Sequence, residues 1–182
     1  LVKSARMIIE AAGKGAGLIS ELLSFSIQDV QKRRETSISQ FIEGSRELYK
    51  SLVGNNVEMS YDLSSSLSSI LVDYGQLQQV LSNLLVNAKE AIGARANGKI
   101  KIAACEVSLK SGEVDPELAP GSYLRIDIED NGIGMDAEAQ ARCFEPFYTS
   151  KNTDGRSGIG FSGSGLVLSS AYSIMKQHDG LL

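Results

Sequence analysis

The chain has few of the residues from which metal sites and disulfide frameworks are built. It contains one histidine and two cysteines in 182 residues. Cys105 and Cys143 lie far apart and belong to no Cys-x-x-Cys pair, which argues against a zinc site and a disulfide framework. Reduced thiols, as found in the cytosol, are the favoured interpretation, and we expect a cytoplasmic location.

Strong charge of one sign and long apolar runs are also missing. The net charge is -4 and lysine and arginine form no extended cluster, so nucleic acid is not expected as the main partner. No apolar run approaches the ~20 residues that span a bilayer, so we expect no membrane contact by this segment. Because the chain starts without Met inside a helical pattern, we expect it to belong to a longer, even membrane-anchored, protein.

The stretch from Tyr123 to Met135 alternates apolar and charged residues and then breaks into Asn-Gly-Ile-Gly. This pattern predicts a half-buried strand that ends in a tight turn. Asp130 falls in phase with Ile126 and Ile128, so its carboxylate should point to the apolar side where the strand ends. Such a carboxylate needs a donor, and an exocyclic amine of a flat ligand is one candidate. The alternative, that Asp130 caps the Asn-Gly turn, is equally compatible with this segment.

A regular amphipathic helix is predicted from Gln76 to Ile92. At 100° per residue, Asn83, Asn87 and Glu90 line up along one edge of its apolar stripe. Asparagine is a poor helix former, and packing alone does not require two of them one turn apart. The alternative is that these are ordinary solvent-exposed residues.

Further helices and strands are expected on both sides of this helix. Periodicity predicts helices over residues 1 to about 34, 37–53, a short one from about 137 that Pro146 stops, and 166–177, and strands over 57–63 and from Gly98. The last helix follows Gly163, Ser164 and Gly165, so its first N–H groups and positive dipole end could cradle an anion. The alternative there is a simple glycine-rich loop.

Four motifs together resemble the ATP-binding domain of sensor histidine kinases in the GHKL superfamily, over about residues 38–182. Residues 83–88 resemble its N box, 130–135 its G1 box, 144–151 its F box and 163–169 its G2 box. Upstream, residues 11–26 resemble the second helix of the dimerisation and phosphoacceptor domain of nitrogen-regulation and hybrid kinases.

The resemblance implies an α+β fold, a two-layer α/β sandwich of the GHKL (Bergerat) type. A mixed sheet is covered by helices on one face and preceded by a long N-terminal helix. Residues 1–36 would be the partial dimerisation domain and 37–182 the ATP-binding domain. The family continues into further strands, and we expect these beyond Leu182.

The resemblance also implies ATP and Mg²⁺ as cofactors. Asp130 would accept from the adenine amino group, Asn87 would hold Mg²⁺ with Asn83 nearby, and Lys151 would offset phosphate charge. The remaining residues expected at the nucleotide are Glu90, Gly132, Gly134, Phe147, Gly163, Ser164, Gly165 and Leu166. Expected partners are a phosphoacceptor helix and a response regulator or receiver domain, with a homodimer in the full-length protein.

Three positions shape the functional hypothesis. Val167 stands where the family usually repeats glycine, so phosphate contacts are expected to differ. Hydrolysing relatives carry a glutamate base where this chain has Asn83, and an amide cannot take a proton, which favours a kinase. His178 lies roughly 20 Å along the helix from its phosphate end, so we expect it to complement the helix C-terminus and not to be phosphorylated. The alternatives are a non-enzymatic nucleotide-binding or phosphotransfer scaffold and a GHKL ATPase or serine kinase.

Overall fold

The computed structural model describes residues 32–110, 112, 114, 118–149 and 165–182. The described residues form five strands and four helices. In chain order these are β1 (Arg34–Ser37), α1 (Ile38–Val53), β2 (Val57–Leu63), β3 (Ser69–Val72), α2 (Tyr74–Ile92), β4 (Gly98–Leu109), β5 (Gly121–Asp130), α3 (Ala137–Arg142) and α4 (Val167–Gln177).

A mixed three-stranded sheet forms one layer of the fold. Its order is β2-β4-β5, with β2 parallel to β4 and β4 antiparallel to β5. The parallel pair is connected through β3 and α2, because parallel strands need a long crossover and cannot be joined by a tight turn.

Helices α1 and α2 cover one face of this sheet. Alternate residues of the strands point toward them, and Ile100 and Ile102 of β4 are 1% and 0% exposed. The helices contribute buried side chains at three-to-four spacing, among them Phe41, Ile42 and Tyr49 from α1 and Leu81, Leu85 and Ala88 from α2. The predicted α+β sandwich with helices on one face is confirmed.

The opposite face of the sheet carries charges. Lys99 pairs with Glu58 at 3.2 Å and Lys101 with Asp62 at 2.7 Å across β2 and β4, and Arg125 pairs with Asp127 at 2.8 Å along β5. Exposed pairs of this kind contribute little to stability because solvent screens them. Their main effect is to keep this face in contact with water, as the alternation in the sequence predicts.

Two short strands were not predicted. β1 pairs antiparallel with β3, from Arg34 opposite Val72 to Ser37 opposite Ser69. The predicted first helix lies outside the described residues as far as residue 31. Its last part is wrong, because residues 32 and 33 are not helical and Arg34 belongs to β1. The backbone there bonds to a neighbouring strand and not to a preceding helical turn. The proposed boundary between residues 36 and 37 stays a prediction.

The segment before β1 is attached to the ends of α2 and α4. Asp73 caps α2 by accepting from Gln76 N at 3.1 Å, and its other oxygen accepts from Lys32 N at 3.1 Å. The Arg33 guanidinium donates to the carbonyl of Gln177 and pairs with Asp179 at 3.2 Å. This segment therefore contacts the first turn of one helix and the last turn of the other.

No described helix combines the length and apolar character required for crossing a bilayer.

Candidate functional site

Asp130 is the last residue of β5 and lies opposite Ile100 of β4. Residues directly opposite in an antiparallel pair share a face, so Asp130 is on the helix-covered face, in the predicted phase. Its side chain is nevertheless exposed, and Oδ1 accepts from Gly132 N at 2.8 Å. The carboxylate is thus not buried, because the strand ends beyond the core. Asp130 lies on the apolar side of the strand, as predicted, and also caps the turn.

The turn after Asp130 is packed directly against α2. A Cβ on Gly132 would lie 2.5 Å from the carbonyl carbon of Ala91 and 2.7 Å from its Cβ, so only glycine fits. Ile133 N donates to Ala91 O at 3.0 Å. Ala91 lies four residues after Asn87 on the same side of α2, and the turn is thereby brought next to the predicted magnesium ligand.

Three candidate residues of α2 follow one another along this edge of the helix. Asn83, Asn87 and Glu90 are all half-buried, so they are not ordinary surface residues. Asn83 Nδ2 donates to the carbonyl of Val167 at 3.4 Å. Val167, where the resemblance leads us to expect glycine, therefore contacts Asn83 through its backbone carbonyl.

The start of α4 is joined to the segment after α3. Phe147 N donates to Gly165 O at 2.9 Å. Gly165 has φ +66, and a Cβ there would lie 2.4 Å from the carbonyl carbon of Phe147. Phe147 also has positive φ, 68°, and its ring is 68% exposed. An exposed phenylalanine in this conformation is strained, and such strain is concentrated at functional sites.

Leu166 differs from what the motif implies. Its side chain is only 7% exposed, and its carbonyl accepts from Ser169 Oγ at 3.0 Å and Ser170 N at 2.9 Å. Lys151, Gly163 and Ser164 lie outside the described residues, so their expected roles stay predictions.

Gly134 lies in the same loop as Asp130, with φ +70, and a Cβ added there would have no described heavy atom within 4 Å. Glycine is required at this position by the backbone conformation and not by close packing. Ile133 and Met135 on either side are 73% and 50% exposed. Large exposed apolar residues beside a carboxylate and an amide edge are suited to a flat, partly apolar ligand.

His178 lies at the opposite end of α4 from these residues. Asp73 N donates to its Nε2 at 3.1 Å, and because a backbone N–H can only donate, Nε2 carries no proton. Nδ1 therefore holds the proton and donates to Ile174 O at 2.9 Å. The expected complement to the helix C-terminus is confirmed, since His178 caps α4.

The oxygen donors at the α2 edge fit Mg²⁺. The amide oxygen of Asn87 and the carboxylate of Glu90 are hard ligands of the kind that Mg²⁺ prefers. Within the described residues no group of three or more His, Cys, Asp or Glu side chains could hold a metal.

The chain is similar to known proteins over most of its length. The family model described as "Histidine kinase-, DNA gyrase B-, and HSP90-like ATPase" matches residues 72–182. Sensor kinase CckA of Brucella abortus is 29% identical over 175 residues, which cover 96% of this chain and 18% of that protein. The histidine-protein kinase AtoS of Escherichia coli is 34% identical over 164 residues, covering 90% and 23%. The chain thus spans less than a quarter of the length of these two relatives.

The fold also has solved counterparts. A crystal structure of full-length ShkA in complex with AMPPNP superposes with a TM-score of 0.65 at 23% identity, covering 96% of this chain and 34% of ShkA. At that identity the likeness concerns the fold alone.

Proposed function

The chain belongs to the histidine kinase-, DNA gyrase B- and HSP90-like ATPase family, and from that membership we propose that it is the ATP-binding catalytic part of a two-component sensor histidine kinase. It donates the ATP γ-phosphoryl group to a histidine on a dimerisation helix that is not among its residues. The response regulator or receiver domain, the homodimeric full-length state and the cytoplasmic location are parts of the same proposal.

The observation that carries this proposal is the hydrogen bonding of the Asp130 carboxylate. Gly132 N fixes Oδ1, and none of the described residues donates a hydrogen bond to Oδ2. Oδ2 can therefore accept from the adenine amino group. The turn that holds Asp130 is packed on α2 at Ala91, one helical turn beyond Asn87. The proposal thus assigns adenine recognition and phosphate binding to the same edge of α2.

Each remaining residue at this edge has a positioning role. Magnesium bound by Asn87 would neutralise phosphate charge, and the backbone N–H groups at the start of α4 would receive the phosphates. Phosphoryl transfer requires mainly alignment and charge neutralisation. Asn83 cannot act as a general base for water, so the bound nucleotide stays intact until a histidine acceptor arrives.

His178 does not serve as that acceptor. Both of its ring nitrogens are hydrogen-bonded, and it lies at the far end of α4. Incubation of this chain alone with ATP labelled on the γ-phosphate should therefore leave no stable label on the protein. Stable label on the isolated chain would refute this part of the proposal.

Binding of an ATP analogue with Mg²⁺, measured by calorimetry, tests the site directly. Asp130→Asn keeps an oxygen that can accept from Gly132 N but removes the charge, so we expect affinity to fall about 10- to 100-fold. Asp127→Asn is the matched control, because Asp127 lies on the same strand and pairs with Arg125 on the other face of the sheet. Equal affinity of the Asp130→Asn variant and the wild type would overturn the assignment.

Addition of a phosphoacceptor helix from a related kinase distinguishes the proposal from its alternatives. We expect label to move from ATP to the histidine of that helix. Failure of the wild-type chain to bind Mg-ATP analogues would favour a non-enzymatic scaffold. Steady release of phosphate without any histidine partner would favour an ATPase.

A further inference from the structure

The segment between α2 and β4 holds the turn that carries Asp130. Arg95, which follows the end of α2, reaches across with its guanidinium. Its Nη1 donates to the carbonyl oxygens of Asn131 at 2.7 Å and Gly132 at 3.2 Å. Hydrogen bonds from a charged donor are stronger than those from a neutral one.

Asn131 is anchored to the same segment by its own polar groups. Its Oδ1 accepts from Lys99 N at 2.8 Å, its Nδ2 donates to Asn97 O at 2.8 Å, and its N donates to Lys99 O at 3.3 Å. The turn is thus tied to the start of β4 on one side, while Arg95 holds two successive carbonyls on the other.

Those two carbonyls belong to the peptide units that matter for the site. The carbonyl of Asn131 and the N–H of Gly132 are parts of one planar peptide, so fixing the oxygen also fixes the direction of the N–H. That N–H donates to Asp130 Oδ1. In the next peptide unit, which contains the carbonyl of Gly132 and the N–H of Ile133, the N–H donates to Ala91 O.

We propose that Arg95 is a positioning residue for adenine recognition, acting on Asp130 through the Asn131–Gly132 peptide. The guanidinium orients this peptide and polarises it, since hydrogen bonds in a chain strengthen one another. The peptide N–H then holds one carboxylate oxygen, and the other oxygen is left aimed at the amino group of the base. This inference rests on the proposed function and adds a residue to it.

The test compares two nucleotides that differ in the group Asp130 would recognise. One is ADP and the other is purine riboside 5′-diphosphate, which lacks the 6-amino group. In the wild type we expect ADP to bind more tightly. In Arg95→Met we expect ADP affinity to fall about 3- to 10-fold, while affinity for the analogue stays within about 2-fold, so the preference for ADP shrinks.

Two further variants sharpen the result. Arg95→Lys keeps a cation that can reach one carbonyl at a time and should restore part of the preference. Arg46→Met is the matched control, because Arg46 pairs with Glu43 and lies over the ring of Tyr61, away from the turn. It should leave both affinities unchanged.

A double-mutant cycle tests whether Arg95 acts through Asp130. If Arg95 acts through Asp130, Arg95→Met in an Asp130→Asn background should cost little further ADP affinity. Equal loss of both nucleotides in Arg95→Met, or full additivity with Asp130→Asn, would overturn the inference and leave the proposed function intact. A wild-type chain that binds neither nucleotide would overturn both.

Unfolding midpoints without nucleotide show whether any variant has failed to fold. Arg95 is exposed, and exposed charged contacts contribute little to stability, so the midpoint of Arg95→Met should lie close to that of the wild type. The selectivity between the two nucleotides is a ratio within one variant, which a partial loss of folded protein would not change.

Discussion

The two ends of the antiparallel pair formed by α2 and α4 are built differently. At the end where α2 begins, the backbone N–H of Asp73, the N-cap of α2, donates to the ring of His178, the C-cap of α4, and Lys32 and Arg33 add contacts from the preceding segment. At the other end the helices share one long hydrogen bond, from Asn83 to Val167.

Three large exposed apolar side chains lie beside the second of these ends, compared with Leu71 in the strand that leads into the first. Ile133, Met135 and Phe147 stand in the loops next to the second end. The hydrogen bonds that join the two helices at the first end stabilise the fold, whereas the exposed apolar surface near Oδ2 of Asp130 suits the second end to a ligand. Substitutions at the first end should therefore change stability, and those at the second should change nucleotide binding.

Gly132→Ala should have the largest effect. The new Cβ would lie 2.5 Å from the backbone of Ala91, so the turn must move away from α2. We expect at least a 10-fold loss of ATP-analogue affinity and about 1–3 kcal/mol of destabilisation. Calorimetric titration and denaturant unfolding measure the two effects.

Gly134→Ala is the matched control for this substitution. It carries the cost of positive φ, about 1–2 kcal/mol, because no heavy atom of the described residues lies within 4 Å of a Cβ there. If Gly132→Ala bound the nucleotide as the wild type does, the close packing of turn and helix would have no role in the site.

Asp73→Ala should act on stability instead. It removes the cap of α2 and the acceptor for Lys32 N, which together should cost about 1–2 kcal/mol in chemical denaturation. Asp73→Asn, which still offers a capping oxygen, should cost less. A change in ATP-analogue affinity larger than about 3-fold would contradict the division between the two ends, because it would show that they are coupled.

His178→Ala should cost about 1 kcal/mol, since it leaves Asp73 N without its acceptor. His178→Gln can supply an acceptor oxygen and should recover part of this loss. Neither substitution should alter transfer of label to an added phosphoacceptor helix. A kinase defect in both variants, with unchanged unfolding, would assign His178 to the reaction.

The smallest effect should appear in the pH dependence of stability. The backbone N–H of Gln76 is the main cause that holds the pKa of Asp73 below its usual range, with Lys32 N as a further donor. A lowered carboxyl pKa gives stability that is present above the unfolded pKa, about 4, and is lost as pH falls through the folded pKa. The stability difference between wild type and Asp73→Asn should therefore shrink below about pH 4.

Acid titration of the unfolding midpoint of both proteins measures this difference. If it stayed constant down to pH 2, the charge of Asp73 would not contribute.

Long periodic segments were predictable from the sequence. The strand at residues 57–63 and the helix ending at Ile92 were predicted to within two residues, because each has enough alternating or three-to-four positions to fix its type. β1 and β3 were missed, since each has four residues and exists only by pairing with the other.

The residues of the candidate site were easier to predict from the sequence than their geometry. The alternation placed Asp130 on the correct face, but its exposure depends on where the core ends, which no local pattern encodes. Arg95 gave no signal at all, because its partners lie 36 and 37 residues further along the chain. The burial of Leu166 likewise depends on packing beneath the start of α4.

The charged outer face of the sheet has one more consequence, for how the strands find their alignment during folding. A slip of β5 by a single residue against β4 would turn Asp127 and Glu129 toward the helices and Ile126 and Ile128 toward water. Hairpins misaligned by an odd number of residues would thus bring charges against the helices and be disfavoured, which leaves the alignments that keep Asp130 on the helix-covered side of the sheet.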